Sequence, residues 1–88
     1  MTDVSLRPRA IDGLKNAPKE YRFRLNEALG VLKHGSFPSH TKKLGGKPYG
    51  YRTRVGRWRI LFVLKNDVAN VADIFLKKGR SDYRWRDL

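Results

Sequence analysis

The sequence predicts an α+β domain in the order β-α-α-β-β-β, an antiparallel sheet with an N-terminal αα-hairpin packed on one face. Three observations carry that expectation. Apolar residues recur at helical spacing up to about residue 34, the period changes to two from Tyr51 onward, and glycine, proline and asparagine punctuate the chain where the period breaks. At 88 residues the chain is one domain, residues 1–88, with a single modest core.

Taken in order, Val4 to Leu6 is a short apolar start that suits an edge strand. Pro8 stands where a helix begins, since its missing N–H would have no intrahelical partner there. Ala10, Ile11 and Leu14 continue at helical spacing, and Asn16-Ala17-Pro18 breaks the run. From Lys19 to His34, the residues Tyr21, Leu25, Ala28, Leu29 and Leu32 form one apolar stripe of a second helix. Gly35 ends it and Pro38 bars continuation. Ser36 to Gly50 is rich in Gly, Pro, Ser and Lys and reads as loop.

Tyr51, Thr53 and Val55 then alternate with Arg52 and Arg54, as a half-buried strand requires. Gly56-Arg57 is a two-residue turn with glycine first, the pattern of a type II′ hairpin. Trp58 to Leu64 forms the next strand, with Trp58, Ile60, Phe62 and Leu64 on one face toward the core. Asn66-Asp67 is a second tight turn, Val68 to Leu76 the last strand, and Lys77 to Leu88 a basic aromatic tail.

Composition excludes several classes. The absence of cysteine rules out disulfide scaffolds, thiol nucleophiles and cysteine-based zinc sites. The two histidines, His34 and His40, lack acidic neighbours in sequence, so no metal or other cofactor is expected. No apolar run is long enough to span a bilayer and the N-terminus lacks an apolar signal core, so a cytoplasmic protein is expected, with no membrane partner.

Charge points to a partner. Twenty Lys and Arg stand against eight Asp and Glu, a formal charge of +12. Between Glu27 and Asp67 there is no acid, yet that interval holds Lys33, Lys42, Lys43, Lys47, Arg52, Arg54, Arg57, Arg59 and Lys65. Arg52 and Arg54 share a strand face, and Arg59 reaches the same face across the Gly56-Arg57 turn. A solvated face would mix signs; three guanidiniums without acids fit a phosphate polyanion, whose oxygens match the guanidinium fork. The tail adds Lys77, Lys78, Arg80, Arg84 and Arg86, with Tyr83 and Trp85 interleaved as stacking platforms, although Trp85 would equally cap the core.

The run Lys42-Lys43-Leu44-Gly45-Gly46 followed by Tyr51-Arg52-Thr53-Arg54-Val55-Gly56-Arg57-Trp58-Arg59-Ile60-Leu61-Phe62 resembles the RelE/ParE toxins of toxin–antitoxin systems. Leu14 to Glu20 and the ending Arg80-Ser81-Asp82-Tyr83 are also similar to theirs. The resemblance implies the same strand and helix order, and a toxin held by an acidic, partly disordered antitoxin. RelE-like members are ribosome-dependent endoribonucleases that cut messenger RNA in the A site, where the 2′-OH attacks the adjacent phosphate without a metal. ParE-like members inhibit DNA gyrase instead, and a non-catalytic RNA- or ribosome-binding module is a third reading.

By position, the resemblance implies catalytic roles for Arg52, Arg54 and Arg59, for a C-terminal cation at Arg80 or Lys78, and for Tyr83. It leaves Lys42, Lys43, Lys47, Arg57, Lys77, Arg84 and Trp85 as RNA-binding residues. The enzymes carry lysine where this chain has Arg52 and Arg54. Arginine keeps its proton at any working pH, so these two suit phosphate clamps better than a general base. The base is left open among His40, Tyr49, Tyr83 and Lys47. His34 at a helix end reads as a dipole partner, and His40 as a loop residue that nothing nearby in sequence orients.

Overall fold

A computed structural model describes residues 2–78. Its elements are β1 (Asp3–Leu6), α1 (Pro8–Asn16), α2 (Lys19–Lys33), β2 (Thr41–Lys43), β3 (Gly50–Val55), β4 (Trp58–Lys65) and β5 (Val68–Leu76). They form one five-stranded sheet in the order β1-β5-β4-β3-β2, with the helices on one face. The catalytic and RNA-binding candidates Arg80, Tyr83, Arg84 and Trp85 lie outside the described residues.

Two features differ from the sequence expectation. The sheet is mixed, because β1 pairs parallel to β5 while every other neighbour is antiparallel. A parallel pair needs a crossover, and the distance from Leu6 to Val68 in the chain supplies it. The stretch from Ser36 to Gly50 is not all loop, since Thr41–Lys43 forms β2 on the edge beside β3. Three residues with no apolar alternation carry no periodic signal.

The expected elements have local causes. Pro8 opens α1, and Ala17, buried with Pro18 behind it, separates the helices. The Ser36 and Gly35 N–H groups donate to the Val31 and Leu32 carbonyls at 3.1 and 2.9 Å, closing the end of α2. In the β3–β4 turn Gly56 has φ +60°, as the first position of a type II′ turn demands. Asn66 and Asp67 both have positive φ, the signature of a type I′ turn between β4 and β5.

The core lies between the helices and one sheet face. Leu25, Ala28 and Leu32 of α2 pack with Val55, Trp58, Ile60, Phe62, Val71 and Ile74. Helix α1 covers the part of β5 that β1 does not reach. It approaches so closely that a Cβ on Gly13 would stand 1.7 Å from the Ile74 carbonyl oxygen, so only glycine fits there.

Strand β5 does not alternate throughout. Leu61 pairs with Asp73 but Phe62 pairs with Val71, so Ala72 is an extra residue in a bulge. The bulge turns Asp73 to the face away from the helices and returns Ile74 to the core.

A basic cleft on the open face of the sheet

The face of β3 and β4 opposite the helices carries the basic residues. Register places Arg52 opposite Leu61 on β4 and opposite Lys42 on β2, while Arg54 stands directly opposite Arg59. Like charges in direct cross-strand positions repel. Around them His40, Lys42, Arg52, Arg54, Arg59 and Lys77 line a concavity of about 320 Å³. A second recess of about 300 Å³ shares Arg54, Arg59 and Lys77 and adds Gly56, Arg57 and Lys78. The two recesses adjoin at the shared residues, on the side of the β3–β4 turn.

Local bonds fix two of these groups. Arg59 Nη1 donates to the Gly56 and Trp58 carbonyls at 2.9 and 3.0 Å, which holds its guanidinium against the hairpin turn. Arg54 Nη2 donates to His40 Nδ1 at 3.3 Å. The Arg54 backbone N–H also donates to the His40 carbonyl at 3.2 Å, so His40 is the neighbour of Arg54 just beyond β2. Thr41 anchors that approach. Its hydroxyl donates to the Pro38 carbonyl at 2.6 Å and stands 2.8 Å from the buried Thr53 hydroxyl.

The sheet separates the candidates named from sequence. Arg52, Arg54, Arg59, Lys42 and Lys77 come together, with Arg57 and Lys78 in the adjoining recess. Lys43 pairs with Tyr51 and so belongs to the opposite face, and Lys47 lies in the turn between Leu44 and Gly50, away from both recesses. His40 was expected to have nothing to orient it; Arg54 does so, and His40 is a wall of the cleft. The signal would have been the antiparallel β2–β3 pairing, which brings residues fourteen apart together.

Asp73 was not singled out from sequence. Pairing with Leu61 puts it on the cleft's face of the sheet, where it is buried, with its Oδ2 3.9 Å from Arg9 Nη1 of α1. Among the described residues, neither recess is lined by an acid.

No family model and no curated protein sequence matches the chain. Solved structures do. The RelE–RelB complex from Pyrococcus horikoshii OT3 superposes with a TM-score of 0.76 at 20% identity, covering 90% of this chain and 98% of that one. The isolated E. coli RelE toxin gives 0.74 at 17% identity, covering 92% and 89%. The RelB–RelE antitoxin–toxin complex from Methanococcus jannaschii gives 0.71 at 22% identity, covering 81% and 87%. Two helices on a five-stranded mixed sheet with a basic open face are, in this chain, a RelE-like toxin fold.

Proposed function

We propose that the chain is the toxin of a toxin–antitoxin pair and cuts messenger RNA in the ribosomal A site. The observation that carries this reading is the direct pairing of Arg54 with Arg59 in a cleft that also holds Arg52, Lys42, Lys77 and His40 and, among the described residues, no acid. A phosphodiester offers oxygens that two neighbouring guanidiniums can bind at once. In this reading Arg52 and Arg54 clamp the scissile phosphate, and Arg59, held on the hairpin turn, stabilises the charge that builds on the phosphorane oxygens. Arg57, Lys77 and Lys78 guide the backbone on either side, while Arg80, Tyr83, Arg84 and Trp85 enter on the strength of the motif resemblance alone.

The partner follows from charge and from the neighbours. A net charge of +12 favours an acidic protein ligand, and two of the similar structures hold a RelE with a RelB. An acidic antitoxin is therefore the proposed partner, with the ribosome and its message as the target. Co-expression with the adjacent gene should yield a complex that high salt weakens; a toxin that stays free would count against it.

The direct test is primer extension on a defined message with programmed ribosomes and a ribosome-free control. Ribosome-dependent cuts at A-site codons, weakened about 10²–10³-fold by Arg59→Ala, are the expected outcome. An uncut message with blocked DNA supercoiling would replace this reading by gyrase inhibition. An uncut message with salt-sensitive ribosome binding would leave a binding module.

A further inference from the structure

Among its described lining residues the cleft holds a single imidazole, and the fold positions it in an unusual way. Of the residues left open as a base, Tyr49 precedes β3 and lies five residues from Arg54, roughly 16 Å along an extended strand. Its ring is 5.1 Å from Lys65 Nζ, at the other end of the sheet from the cleft. Lys47 lines neither recess, and Tyr83 lies outside the described residues. His40 lines the cleft itself.

His40 has φ +63°, a conformation that costs a non-glycine residue free energy and persists where neighbouring contacts enforce it. The enforcing contacts are the Arg54 N–H on its carbonyl and the Thr41 hydroxyl between Pro38 and Thr53. The side chain is oriented too. A guanidinium only donates, so Nδ1 is the accepting nitrogen and the ring proton is on Nε2. The lone pair that would serve as a base is therefore covered by Arg54 in the free protein.

Resting on the nuclease reading above, we propose that His40 Nδ1 is the general base for the RNA 2′-hydroxyl, uncovered when Arg54 transfers its Nη2 bond to the scissile phosphate. His40 Nδ1 is a neutral, single acceptor, whereas a phosphate offers anionic oxygens that can take the guanidinium fork bidentately, so an incoming phosphate competes well for Arg54. Nδ1 then takes the 2′-OH proton, and the 2′-oxygen electron pair forms the bond to phosphorus. The P–O5′ bond breaks with its electron pair on the 5′-oxygen, which takes a proton from water. The hydroxide so formed recovers the proton from the His40 imidazolium. The products are a 2′,3′-cyclic phosphate and a 5′-hydroxyl, and the base is not uncovered unless the phosphate is already clamped.

Two variants separate proton transfer from positioning. In His40→Asn the amide oxygen can replace Nδ1 as acceptor for Arg54, and asparagine tolerates positive φ, but no base remains. In His40→Gly the backbone conformation is unstrained and the vacated space admits free imidazole. Both are assayed on programmed ribosomes beside the wild type, with ribosome binding and thermal unfolding as controls. Cleavage reduced about 10²–10⁴-fold in both, with binding retained and imidazole restoring His40→Gly, is the expected result. Cleavage by His40→Asn within threefold of the wild type, or a His40→Gly that binds but is not restored by imidazole, would overturn the base assignment and leave the nuclease reading standing. A wild type that cuts no message would sink both.

Discussion

The two faces of one sheet follow opposite rules. Toward the helices, Val55, Trp58, Ile60, Phe62, Val71 and Ile74 are buried, and the one polar member in their midst, Thr53, has its hydroxyl beside that of Thr41. On the other face the same strands present Arg52, Arg54 and Arg59, with Arg54 and Arg59 in direct cross-strand register. The first face contributes stability through removal of apolar area from water. The second sets like charges side by side at a cost to stability. Where a fold accepts such a cost on one face only, that face is the place to look for a ligand.

The largest effect should come from emptying the covered face. Phe62→Ala removes the side chain at its centre and should cost about 4 kcal/mol in denaturant unfolding; a cost under about 1 kcal/mol would mean that the covered face does not carry the stability. Gly13→Ala should follow at about 3 kcal/mol, because its new methyl group collides with the Ile74 carbonyl and α1 must lift from β5.

The same contrast explains what the sequence made legible. Helix α2 and strands β3 and β4 carry clean periodicity, so their faces could be assigned, and with them the cluster of Arg52, Arg54 and Arg59. The glycine-first turn at Gly56 fixed the register that puts Arg54 opposite Arg59. What escaped was the part set by pairing alone. Thr41–Lys43 is too short to show a period, so neither β2 nor the approach of His40 to Arg54 could be read. Parallel pairing of β1 with β5 depends on the path of the intervening chain. The bulge at Ala72 leaves no mark in composition, and simple alternation would have assigned Asp73 to the wrong face.

The smallest effect has the opposite sign, and for that reason it tests the comparison most sharply. Arg54→Gln removes one of two guanidiniums in direct register, while its amide can still donate to His40 Nδ1. If the open face is held against its own repulsion, the variant should be more stable than the wild type by about 0.5 kcal/mol at low salt. The gain should fade as ionic strength rises, because the interaction removed is an exposed one that salt already screens. A polyanion should reverse the order, stabilising the wild type more than the variant because it binds the folded state through the charge that was removed. Thermal unfolding of both proteins across a salt series, with and without a short single-stranded RNA, measures all three. Equal stabilities at low salt, together with equal stabilisation by RNA, would mean that Arg54 and Arg59 are merely solvated and that the cleft is not built for phosphate.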